Sequence, residues 1–142
     1  MKKPLVSILI STYGQLEYTK RCLNSINQTV SEKIDFETLI VDDCSEDETQ
    51  TFLKSLDSGI QTFFNQKREG YAKNNNFLAA QAKGEYLCFL NNDVFVEGNW
   101  LEPMIKAFHK FQEVGVVGNV QRLADSSKYD HMGVVFSPEG NP

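Results

Sequence analysis

The chain has little of what builds disulfide, zinc or nucleophile chemistry. Its 142 residues include three cysteines, Cys22, Cys44 and Cys88, and two histidines, His109 and His131. The cysteine count is odd and no C-x-x-C spacing occurs. That argues against a disulfide framework or zinc site and reads as reduced thiols in a reducing, cytoplasmic setting. Neither histidine has a partner at metal-ligand spacing, and a P-loop, a G-x-G-x-x-G turn and a serine nucleophile elbow are all missing. No Lys/Arg block occurs and the net charge is -5, which disfavours nucleic acid as a partner. Behind Met1-Lys2-Lys3-Pro4 the apolar stretch runs only from Leu5 to Ile10, too short for a signal peptide or a membrane span.

What is present is a regular alternation. With 41% apolar and 23% charged residues, the length suits one domain with a real core. Apolar runs at Leu5–Ile10, Phe36–Val41, Ile60–Phe64 and Glu85–Leu90 read as buried strands, with further strands expected at Val114–Val117 and Met132–Phe136. Between them, helices are expected over Gln15–Asn27, behind a capping box formed by Ser45 and Glu48, over Gly70–Lys83 with Gly84 as the C-terminal cap, and along Trp100, Leu101, Met104, Ile105, Phe108 and Phe111. Strands alternating with amphipathic helices imply an α/β fold, a three-layer α/β/α sandwich around a mostly parallel sheet.

In such a sheet the carboxyl ends of the strands share one edge, and ligands bind there. The first strand ends in Ser11-Thr12-Tyr13, the second in Asp42-Asp43 and the fourth in Asn91-Asn92-Asp93. The helix opening at Gly70 adds Lys73, Asn74, Asn75 and Asn76. Each cluster alone has a bland reading as a solvated turn or polar helix face. Three acid or amide clusters on one edge make a shared site the better reading. Asp42 or Asp43 can accept hydrogen bonds from a base or ribose, Asn and Lys can contact phosphate oxygens, and Asp93 can hold a hard divalent cation if a substrate phosphate supplies other ligands.

In their order and spacing these segments resemble the family 2 glycosyltransferases. The matching pieces are Val6-Ser7-Ile8-Leu9-Ile10-Ser11-Thr12-Tyr13, Leu39-Ile40-Val41-Asp42-Asp43-Cys44-Ser45, Gly70-Tyr71-Ala72-Lys73-Asn74-Asn75-Asn76 and Leu90-Asn91-Asn92-Asp93. The Asn-Asn-Asp form, with Asp130-His131-Met132-Gly133-Val134-Val135-Phe136, looks like the rhamnosyltransferase-like, cell-surface polysaccharide branch. The resemblance implies a Rossmann-like GT-A nucleotide-binding fold. It implies inverting transfer of a sugar from a UDP- or dTDP-sugar to a glycan or lipid-linked acceptor, with Mg²⁺ or Mn²⁺ as cofactor. Ser11, Thr12 and Tyr13 would line the nucleoside pocket. Asp43 would accept the imide N–H of uracil or thymine, and Asp42 would touch the ribose or support the site. Lys73 and Asn75 would face the diphosphate, Asp93 would bind the metal, and Asn91 and Asn92 would shape that corner.

Two positions depart from the family pattern. Asn91 stands where many relatives have a first Asp, removing one anionic ligand. Leu78 stands where relatives often have Gly. Relatives also continue past the equivalent of Pro142, where the catalytic base and the acceptor face are expected. The expectation is therefore one donor-binding domain over residues 1–142, with the acceptor-binding portion and the general base beyond it. A nonenzymatic donor-binding fragment is the alternative, and peripheral membrane association and oligomeric state stay open. A receiver-like signalling domain would also gather acids and Mg²⁺ at strand ends. It needs its acid pair after the first strand and a Lys after the fifth, where this chain has Ser-Thr-Tyr and Gly118-Asn119.

Overall fold

The structure, a computed structural model, describes residues 5–30, 33–57, 59–123 and 128–131. The chain divides into two compact units, Met1–Gly98 and Asn99–Pro142. The first unit is built on β1 (Leu5–Thr12), β2 (Asp35–Asp42), β3 (Ile60–Phe64) and β4 (Tyr86–Asn91), with α1 (Leu16–Thr29), α2 (Thr49–Lys54) and α3 (Tyr71–Gln81) between them. All pairings are parallel and the sheet order is β3-β2-β1-β4. The chain steps from β1 through β2 to β3, then returns past β1 to β4. Right-handed crossovers therefore put α1 and α2 on one face and α3 on the other, the expected three layers.

Strand parity decides which residues meet which helix, because successive side chains point to opposite faces. Odd positions face α3, where buried Leu9, Leu39 and Val41 cluster with Leu78. The departure at Leu78 is thus a core residue that seats α3 on the sheet. Even positions face α1 and α2: Thr12 is bonded to Thr19 on α1, and Asp42 to Gln50 on α2. At the opposite end of the strands, Ser7 donates to Glu37 (2.6 Å), which also accepts from Gln61 (2.9 Å) and from the Lys83 N–H (2.7 Å).

Several local expectations change. The capping box does not form: the Ser45 hydroxyl accepts from the Gly14 N–H at 2.6 Å. α2 begins only at Thr49, whose N–H meets Asp47 at 3.0 Å. Gly84 does not cap α3, which ends at Gln81 with Ala82 as its cap; the Gly84 N–H instead reaches the Ser7 hydroxyl (2.8 Å). On β4 the α3-facing residues Leu87 and Phe89 stay exposed, so helices do not cover the sheet evenly on both faces.

In the second unit, α4 (Leu101–Lys110) matches the expected apolar spacing, and β5 (Gln121–Arg122) pairs antiparallel with β6 (Tyr129–His131). The apolar run Val114–Val117 is not a strand. It finds no ladder partner among the described residues, and Val116 is 89% exposed. The strand expected at Met132–Phe136 lies outside the described residues.

Candidate functional site

The carboxyl ends of the first unit's strands are held in line past the regular ladder. The Asp43 N–H donates to the Thr12 carbonyl (2.8 Å) and the Asn65 N–H to that of Asp42 (2.9 Å). Parity then separates neighbours. Thr12 is buried, with its hydroxyl 3.0 Å from that of Thr19. Asp42 is also buried, accepting from the Ser45 N–H (3.0 Å) and Gln50 (2.9 Å). Neither side chain reaches solvent, so Thr12 does not line the edge as expected, and of the two expectations for Asp42 its burial suits support of the site rather than a ribose contact. Asn75 is buried too, and its Nδ2 donates to the Tyr71 carbonyl inside α3 (3.0 Å) rather than outward to a diphosphate. Lys73 is exposed and ion-paired with Glu69.

Asp43 is the most heavily hydrogen-bonded acid on this edge. Its Oδ1 accepts from Asn65 Nδ2 (2.8 Å) and the Glu69 N–H (2.8 Å), and its Oδ2 from the Gly70 N–H (3.0 Å). Gly70 makes this possible with φ 85 and ψ 161, a conformation nearly reserved to glycine. Burial alone would raise the carboxyl's pKa. The Glu69 N–H, the Asn65 amide with Asn74 beside it, and the Gly70 N–H outweigh burial and hold it below the ordinary 3.8. A carboxylate has about four acceptor positions, so one lone pair on Oδ2 is left. Arg68 Nε faces that oxygen from 3.9 Å, and the Arg68 guanidinium carbon sits 3.6 Å from the centre of the Tyr13 ring.

From Asp43 a chain of hydrogen bonds crosses the edge. Asn65 Nδ2 also donates to Asn74 Oδ1 (2.7 Å), and Asn74 Nδ2 donates to the Ser11 hydroxyl (3.0 Å). Ser11 pairs in register with Asn91. There Ser11, Tyr71, Asn91, Asn92 and Asp93 line an open cleft of about 420 Å³.

The turn carrying Asp93 is fixed from several sides. Asn92 Nδ2 donates to Thr12 and Thr19, both at 3.1 Å. The Val94 N–H returns to the Asn91 carbonyl (3.3 Å) and the Val96 N–H reaches Ser25 (3.1 Å). Phe95 stacks on Tyr18 with centroids 6.1 Å apart, and Arg21 lies over it at 4.0 Å. Beneath the turn the Cys22 thiol is pushed up to about 12, chiefly by burial, then by Asp93 and Cys88. It stays protonated and donates weakly to the Asn91 carbonyl at 3.6 Å.

Asp93 itself is exposed, with no hydrogen bond or ion pair to a described residue. No group of three His, Cys, Asp or Glu side chains that could hold a metal occurs among the described residues. A single free carboxylate beside amides and a hydroxyl fits a cation that takes its other ligands from phosphates and water.

Asn65, Arg68, Tyr71 and the N–H groups of Glu69 and Gly70 did not stand out in the sequence. Asn65 carried a usable signal, because it follows the third strand directly and so marks a further strand end on the same edge.

An open parallel sheet with its polar groups and cleft at the carboxyl ends of the strands defines an α/β ligand-binding domain. Residues 7–136 match Glycosyl transferase family 2, and the chain belongs to that family. It is 32% identical over 125 residues to chondroitin synthase of Escherichia coli, covering 86% of this chain and 18% of that protein. It is 26% identical over 121 residues to the glycosyltransferase AglE of Haloferax volcanii, covering 83% of this chain and 40% of AglE. Residues 1–349 of Staphylococcus aureus TarS, solved in complex with UDP-GlcNAc, superpose with TM-score 0.66 at 25% identity over 74% of this chain and 31% of that one. The mannosyltransferase PcManGT from Pyrobaculum calidifontis, solved with GDP-Man and Mn²⁺, gives TM-score 0.66 at 21% identity over 76% of this chain and 33% of that one, a likeness of fold alone. The fold is thus the GT-A type. The chain spans less than half the length of each of these proteins.

Proposed function

We propose that this chain is the donor-binding part of an inverting glycosyltransferase that takes a UDP- or dTDP-sugar and serves a glycan or lipid-linked acceptor. The observation that carries the reading is one sheet edge with a base-sized acceptor at one end and a free carboxylate at the other. The remaining acceptor position of Asp43, faced by an Arg68 that also lies over the Tyr13 ring, suits the imide N–H of uracil or thymine. Ser11, Asn91 and Asn92 would shape the corner for the diphosphate, and Lys73, exposed and paired with Glu69, would have to leave that partner to add a cation there. Asp93 would hold Mg²⁺ or Mn²⁺ against the two phosphates. A cation bound there would offset the charge that grows on the departing nucleoside diphosphate.

The chemistry needs a carboxylate to take the proton of the acceptor hydroxyl. Asp93 is the one acid among the cleft residues, so the base is proposed to lie outside this cleft. The same observation favours a second reading, a domain that binds donor without turning it over. The Asn-Asn-Asp turn supports placement in the rhamnosyltransferase-like, cell-surface polysaccharide branch. Among the described residues no helix is long and apolar enough to cross a membrane, and the proposed working place is the cytoplasm, at the inner face of the membrane.

Calorimetry with UDP, dTDP and CDP, each with and without Mn²⁺, tests the reading. Binding of UDP or dTDP that Mn²⁺ strengthens, with CDP weaker, is expected. No nucleotide binding would end it. Release of UDP from a UDP-sugar by the purified chain would end the noncatalytic reading.

A further inference from the structure

We propose that Arg68 is a built-in stand-in for the nucleobase, which an incoming pyrimidine must displace. This rests on the nucleotide reading of the edge. A pyrimidine base bound there would need two things from the protein: the face of Tyr13 to lie on, and the remaining lone pair of Asp43 to receive its imide N–H. Arg68 holds both. Its guanidinium is planar and carries N–H groups at its rim, as the base does. Its central carbon lies 3.6 Å from the Tyr13 centroid, the spacing of stacked planes, and its Nε faces Asp43 Oδ2 from 3.9 Å.

The other acceptor positions of Asp43 already take N–H groups from Asn65, Glu69 and Gly70. Arg68 therefore covers the one side of the carboxylate that remains, and Asp43's side chain is only 4% exposed while that of Arg68 is 59% exposed. The contact is a surface one, weak enough to exchange. Its chain position favours that role, since Arg68 directly precedes the two residues whose N–H groups grip Asp43.

A competing self-ligand lowers apparent affinity by the fraction of molecules in which the site is open. An exposed guanidinium–aromatic contact is worth about a two- to five-fold factor. Removing Arg68 should tighten nucleoside binding by about that much. Salt weakens the attraction of Arg68 to Asp43. Uridine, which is uncharged, should therefore bind the wild-type chain better at high salt, and the Arg68→Ala chain equally at low and high salt.

The test is an NMR titration of uridine and a calorimetric titration of UDP, using the 142-residue chain as wild type, Arg68→Ala and Arg68→Lys. Thermal midpoints confirm that the variants fold. The expected result is both ligands bound about two- to five-fold tighter by Arg68→Ala, with Arg68→Lys between the two. Weaker UDP with unchanged uridine would make Arg68 a phosphate ligand and overturn the proposal. Weaker binding of both would make it an outer stacking face, and unchanged binding of both would make it a bystander, overturning it equally. Failure of every chain to bind UDP would instead overturn the nucleotide reading on which it rests.

Discussion

Replacing Asp43 by Asn changes one atom and should change which base the site prefers. The wild-type carboxylate accepts three hydrogen bonds and keeps one lone pair without a hydrogen bond, faced by Arg68. Asn at this position can still accept from Asn65 and the Glu69 N–H through its carbonyl oxygen. Its NH₂ then occupies the place of Oδ2, where it opposes the Gly70 N–H. Leaving that donor without an acceptor costs about 1–3 kcal/mol, or about 3–10 °C of thermal midpoint for a domain of this size. Toward the ligand the same NH₂ opposes the imide N–H of uracil but matches the ring nitrogen acceptor of cytosine. Loss of a hydrogen bond to a charged group is worth about 1.5–3 kcal/mol, which is about 10- to 150-fold in the affinity for UDP. CDP should be unaffected or bind better. Calorimetry with both nucleotides on both proteins measures the exchange, and scanning fluorimetry measures the midpoint. Equal weakening of UDP and CDP, or no preference between them in the wild type, would refute the placement of Asp43 at the base.

Asp93→Asn should abolish the gain in UDP affinity that Mn²⁺ provides and leave the thermal midpoint unchanged, because Asp93 has no hydrogen bond or ion pair to a described residue; calorimetry with and without the metal reads this. Gly70→Ala should destabilise the domain by about 1–3 kcal/mol from backbone strain alone, since an added Cβ meets no atom within 4 Å; urea denaturation showing no change would contradict it. Glu37 should contribute to an acid limb of stability. Burial would raise its pKa, but the bonds from Ser7, Lys83 and Gln61 hold it below 4.5 in the fold. Its stabilisation is therefore complete above that value and lost as pH falls through the lower folded one. Glu37→Gln should flatten that limb in thermal melts taken across acid pH.

The central strands β1 and β2 were legible because strands buried on both faces read as apolar runs, as at Leu5–Ile10 and Leu39–Val41. The failures have a common cause in tertiary competition for the same groups. Ser45 and Glu48 had the spacing of a cap, but the Gly14 N–H, 31 residues away, took the Ser45 hydroxyl. Gly84 looked like a helix end and is a tie to Ser7. In the site, clustering could be read and side-chain direction could not. Thr12 and Tyr13, like Asp42 and Asp43, are neighbours in sequence that face different surroundings. Only register and the positions of α1 and α3 show which surroundings each one meets. Asn74 was visible as one of three asparagines, but its place between Ser11 and Asn65 depends on residues far apart in the chain.

The chain of amides from Asp43 to Ser11 also has a polarity. Because Asp43 is ionised it can only accept, so both hydrogens of Asn65 Nδ2 are committed, one to Asp43 and one to Asn74. Asn74 must then present its oxygen to Asn65 and its NH₂ to Ser11. The Ser11 oxygen receives that hydrogen, which leaves its own O–H to point elsewhere, and Ser11 lines the cleft. A negative charge at one end of the edge thus writes a hydrogen-bond donor at the other, on the wall of the cleft. Neither asparagine needs to touch a ligand to carry that instruction, and reversing either amide would break it.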